Sequence, residues 1–120
     1  MKDKSWRFDP DDVIGRRELQ LMNADGSESE VIVEIGRPRR FEDADEGQED
    51  CYAPYRISGG GICVELYAGG VDAVQALQLV MRIVGSDLEA LGSSHEDRLT
   101  WLQEPAHLGF PACKSTDESR

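Results

Sequence analysis

In the first third of the chain, apolar residues recur at every second position. Leu19 and Leu21 alternate with Glu18 and Gln20 at the end of a run over residues 13–22, and Val31, Val33 and Ile35 alternate with Ile32 and Glu34 over residues 30–35. A period of two is the mark of a half-buried strand. Between the runs stands Asn23-Ala24-Asp25-Gly26-Ser27, whose Asp-Gly pair tolerates positive φ, so the two runs read as a hairpin. Gly36-Arg37-Pro38 ends the second strand, because proline donates no ladder hydrogen bond. A second hairpin is expected from residues 51–57 and 62–67 around Ser58-Gly59-Gly60-Gly61, with Ile62, Val64 and Leu66 on one face. Pro54 in its first strand implies an edge position or a bulge. Closure about Gly59 and Gly60 sets Cys63 opposite Tyr55 or Arg56, too far from Cys51 for a disulfide.

The period then changes. Val74, Leu77, Met81, Val84, Leu88 and Leu91 follow one another at intervals of three and four, which draws an apolar stripe along a helix over residues 72–91. Ala73, Ala76 and Val80 widen the stripe, and Leu79 and Ile83 lie off it, as if the helix were covered on more than one side. Asp72 with Gln75 three residues on forms a capping-box pattern, and Gly92 is the expected stop. Gly85 costs about 1 kcal/mol relative to alanine inside a helix and is expected to allow a close approach to the sheet. Leu99-Thr100-Trp101-Leu102 reads as a short fifth strand.

Strands preceding one helix give an α+β fold: an antiparallel sheet of four to five strands with one long helix packed on a face. The expected core is Val31, Val33, Ile35, Val64, Leu66, Leu77, Met81, Val84 and Leu88. Residues 1–12 form a polar N-terminal segment, residues 13–112 the single domain, and residues 113–120 a frayed tail. At 120 residues and 39% hydrophobic, the chain has the size of one domain and can bury its own core. No apolar run approaches the roughly 20 residues of a membrane span, and the start, MKDKSWRFDPDD, has no signal-peptide h-region.

Charge adds one feature. The net charge is −11, and residues 41–50 hold more than half of it as six acids with no base. Such an excess argues against a phosphate-neutralising nucleic-acid surface. The run repels itself and reads as a solvated loop. Its beginning, Asp43-x-Asp45, is that of a calcium loop, but the required glycine falls one position early at Gly47 and position twelve is Pro54. Cys51, Cys63, Cys113, His95 and His107 show no zinc spacing. Three cysteines without paired spacing suit reduced thiols in a cytoplasm. Ser94-His95-Glu96 reads as a polar connection rather than a triad, whose roles are set by geometry. Gly69-Gly70 before the helix matches no phosphate-loop motif. The clustered Arg37, Arg39 and Arg40 read as internally compensated. No cofactor, metal or catalytic residue is assigned.

Trp6, Trp101 and Phe110 are candidate interface anchors. Core burial is the expectation for Trp101, and docking on the domain or on a partner remains open for Trp6. The partner-facing candidates are therefore Glu42, Asp43, Asp45, Glu46, Glu49 and Asp50, with Trp101 and Phe110.

The hairpins, the segment GGVDAVQALQL over residues 69–79, the LTWL run and the Gly109-Phe110-Pro111 ending resemble a family of short bacterial proteins of unknown function, over residues 13–112. That resemblance implies no activity. By size and charge the chain also resembles bacterial immunity proteins, which implies a non-enzymatic cytoplasmic inhibitor that binds a basic toxin domain. The alternative is a small-ligand-binding or enzymatic domain with its pocket between helix and sheet.

Overall fold

The structure is a computed structural model that describes residues 6–41, 50–94, 98–102 and 108–111. Its fold is α+β. Four long strands, β1 (Val13–Met22), β2 (Glu28–Gly36), β4 (Cys51–Gly59) and β5 (Ile62–Gly70), are joined by the two-residue β3 (Arg39–Arg40) and β6 (Leu99–Thr100). All pairings are antiparallel. β5 lies on one margin against β4, β2 and β3 share the other side of β4, and β1 and β6 complete the sheet.

The first hairpin closes through Asn23, whose N–H donates to the Ser27 carbonyl at 2.7 Å, and Gly26 takes a φ of 89°. In the second, Gly59 pairs with Ile62, so the turn is Gly60-Gly61 and Cys63 faces Ser58. This corrects the expected register by one turn position. Cys51 faces Gly70, at the far end of the hairpin from Cys63, and both are free thiols.

Pro54 lies neither on an edge nor at a bulge, for β4 is central and its register with β5 is unbroken. The reason is a change of partner. β4 pairs with β2 over residues 55–58 and with β3 over residues 51–52. Pro54 falls in the gap, so its missing N–H breaks no rung there. It is fully buried, with its ring against Gly36.

The helix α1 (Ala73–Ser94), the only one among the described residues, packs over β4 and β5. The Asp72 carboxylate accepts the Gln75 N–H at 2.9 Å, and the Gln75 side-chain oxygen accepts the Val71 N–H at 2.8 Å. One donor left over by the first turn, and one on the residue before the cap, are thereby satisfied. The buried row is Ala76, Val80, Val84, Leu88 and Gly92, rotated from the expected stripe. Leu77 and Met81 flank it on one side and Leu79, Ile83 and Leu91 on the other, all half-buried, while Val74 is 64% exposed. Gly92 does not end the helix, which continues to Ser94.

Against the helix the sheet presents Leu19, Leu21, Val31, Val33, Ile35, Tyr55 and Ile57, all buried. Val64 is only half-buried and Leu66 is 48% exposed, because both stand on the marginal strand, which α1 covers in part. Tyr55 ties the layers together: its hydroxyl donates to the Asp87 carboxylate on α1. Burial first, and that bond second, push its phenol well above the ordinary tyrosine value. Among the described residues no helix is long and apolar enough to cross a membrane.

Candidate binding cleft

Alternation along β1 places Arg17 in phase with Leu19 and Leu21, so a guanidinium stands on the apolar, helix-bearing face of the sheet. The strand is bulged beside it: Val13 lies opposite Gly36, but Gly15 lies opposite Ile35. The extra residue, Ile14, is turned out to solvent, as a bulge does when it bends a strand. Gly15 remains on the inner face, where a Cβ would meet nothing within 4 Å. That open space belongs to a cleft of about 430 Å³. Gly15, Val33 and Ile35 make its floor, Met81 of α1 one wall, and Phe110 with Pro111 the other. Arg17 stands at its side.

Three groups hold Arg17. One terminal N–H donates to the Leu108 carbonyl at 3.2 Å. The guanidinium carbon lies 3.9 Å from the Trp101 ring centroid and 4.9 Å from that of Phe110, both within reach of the attraction between a cation and a π-face. The chain can come this close only because of two glycines. Gly109 has a φ of 86°, and a Cβ there would lie 2.2 Å from the Arg17 guanidinium and 2.6 Å from the Trp101 ring. At Gly85 a Cβ would lie 2.6 Å from the Pro111 carbonyl. Gly85 thus admits the 108–111 segment to the side of α1, rather than the sheet as its sequence position suggested.

Guanidinium carries five N–H donors, and Arg17 has no carboxylate partner among the described residues. The opposite face of the sheet is handled otherwise. There Arg56 bonds Glu34 at 2.9 Å, approaches Glu65 at 3.7 Å and lies under Phe8. Arg37 bonds Asp12 at 2.8 Å, and Arg39 reaches both Asp12 and Asp9. The Arg37 hydrogen bond is the main cause that holds the Asp12 carboxyl below its ordinary value. Trp6 stacks on Tyr67 at 5.0 Å, beside Phe41 and Tyr52, so it docks on its own domain.

Of the residues singled out from sequence, Trp101 and Phe110 meet around Arg17. Trp101 is half-buried against the margin of the core rather than within it. Asp50 stands on the β4 side of the sheet, where its carbonyl accepts the Phe41 N–H at 3.1 Å, and so does not join them. Glu42, Asp43, Asp45, Glu46 and Glu49 lie outside the described residues, as do Cys113, His95, Glu96 and His107. Among the described residues no three His, Cys, Asp or Glu side chains are grouped as a metal would require. Arg17 itself was the residue missed. The signal for it was its parity with Leu19 and Leu21, which puts a charge where the pattern calls for an apolar side chain.

No curated protein and no solved structure matches the chain. A family model described as a domain of unknown function, DUF6968, matches residues 15–112. Those limits take in β1 from Gly15 onward, α1 and the segment with Phe110 and Pro111, and by that match the chain belongs to the DUF6968 family.

Proposed function

We propose that the protein acts by binding another protein, most concretely as a cytoplasmic immunity protein that covers a basic toxin domain. One observation supports this reading: the use made of the cations next to the acidic run. Arg37 and Arg39 are engaged by Asp12 and Asp9 of the N-terminal segment. A concentration of negative charge raises the association rate of a basic partner more than its final affinity. The test is co-expression with a basic toxin domain encoded beside this chain, followed by association kinetics on the purified pair. Growth should be rescued. Changing Glu42, Asp43, Asp45, Glu46, Glu49 and Asp50 to amides should slow association, and the effect should fade as salt rises past ~0.15 M, where the Debye length is about 8 Å. Failure to rescue, or a rate indifferent to both charge and salt, overturns the reading.

A second reading, a ligand-binding domain with its pocket between helix and sheet, is favoured by the cleft beside Arg17. Its volume of about 430 Å³ falls within the usual range of roughly 300–1,000 Å³ for small-molecule sites, which are mostly apolar with a few polar groups placed in them.

A further inference from the structure

We propose that the cleft beside Arg17 binds a small amphipathic monocarboxylate. Its apolar body would lie on Val33, Ile35 and Met81, and its carboxylate on the free edge of the Arg17 guanidinium. The proposal rests on the reading of the cleft as a ligand pocket and adds the chemistry of the ligand.

The charge argument comes first. Arg17 projects from the apolar face of β1, yet among the described residues only the Leu108 carbonyl accepts a hydrogen bond from it. Trp101 and Phe110 lie against the guanidinium but accept no conventional hydrogen bond from it. These contacts hold the group in place and leave N–H donors over, and a guanidinium with spare donors can receive a carboxylate through two parallel bonds. Arg16, Arg37, Arg39 and Arg56 already have carboxylates.

The walls narrow the class further. Gly15, Val33, Ile35, Met81 and Pro111 are uncharged, and the second cation of the lining, Arg16, is exposed and lies 3.5 Å from the Glu18 carboxylate. A phosphate ester would bring a second negative charge against apolar surface, where an unpaired charge is costly. A neutral ligand could accept from the guanidinium but would leave its charge without a counter-ion. A single carboxylate on an apolar body satisfies both. The net charge of −11 does not forbid this, since exposed charges beyond about 8 Å are largely screened at physiological salt, while the Arg17 contact is direct.

Gly15 supplies a way to close the cleft without disturbing the fold. A side chain there meets no neighbour within 4 Å and would grow into the empty space. The experiment uses the full chain carrying Trp6→Phe, so that Trp101 is the sole indole. Its emission is followed during titration with octanoate and, separately, with octanamide. Octanoate should bind at least about tenfold more tightly than octanamide, the scale of one hydrogen-bonded charge. Arg17→Met should bring the two affinities together. Gly15→Leu should weaken both by tenfold or more while leaving the thermal midpoint in place. Equal binding of the two ligands by the unsubstituted chain overturns the carboxylate assignment and leaves the pocket standing. Binding that survives Gly15→Leu overturns the assignment to this cleft, and no binding of either ligand overturns the pocket reading as well.

Discussion

The two faces of the sheet treat positive charge in opposite ways. On the face turned from the helix, Arg37, Arg39 and Arg56 are matched by Asp12, Asp9, Glu34 and Glu65, and the N-terminal segment that brings Asp9 and Asp12 there also seats Trp6 on Tyr67. On the helix-bearing face, Arg17 is given, among the described residues, two aromatic rings and a single carbonyl. The first arrangement is closed: cations and anions are both supplied by the chain. The second leaves a cation beside an apolar cleft with N–H groups to spare. In a chain so rich in carboxylates the contrast is informative, because a neutralising acid would have been easy to place.

The comparison can be broken most severely through the layer that both faces depend on. Leu88 is buried in the α1 row, and Leu88→Ala should lower stability by roughly 2–5 kcal/mol in chemical denaturation, the usual loss for emptying a core site. Leu77, which is half-buried, should lose less. A smaller effect is expected at Tyr55, whose hydroxyl bonds Asp87 across the helix–sheet contact. Tyr55→Phe leaves that carboxylate without its donor and should cost about 1–3 kcal/mol. Gly109→Ala should cost on the order of 1–3 kcal/mol through its positive φ and, unlike the other two, should shift Trp101 emission, since the new Cβ would press on Arg17 and Trp101.

The smallest effect belongs to the closed face and sharpens the contrast by pH. The Asp12 carboxyl is held below the ordinary aspartate value, chiefly by the Arg37 hydrogen bond. A depressed carboxyl stabilises the fold above its unfolded value and loses that contribution as pH falls through the folded one. The thermal midpoint of Asp12→Asn should therefore lie slightly below that of the unsubstituted chain at neutral pH, with the gap closing as pH falls below about 4. A gap that stays constant down to pH 2 would show that the pair contributes nothing through its charge.

Much of the architecture was written in local pattern. Period two in β1 and β2, the Asp-Gly turn and the Asp72–Gln75 cap are short-range devices, and each acts where the sequence puts it. What the pattern misplaced depends on neighbours distant along the chain. The buried row of α1 is set by which helix residues meet β4 and β5, so Ala76 and Val80 are covered while Val74 is not. Leu66 keeps the right parity but stands on a margin. Pro54 is tolerated in a central strand because β4 changes partner there. The cleft was less legible still: it needs the bulge at Ile14, Gly85 on α1 and Gly109 in an irregular segment to act together. Trp101 and Phe110 could be picked out by residue type, but only the fold shows that the cation between them is Arg17.

The most direct test of that central arrangement is the proton NMR spectrum of the Arg17 side chain. Protons stacked over an indole at 3.9 Å and a phenyl ring at 4.9 Å should resonate well upfield of those of the other arginines. Trp101→Leu should remove most of that shift and Phe110→Leu the remainder. Arg17 resonances at ordinary positions, unmoved by either substitution, would contradict the account.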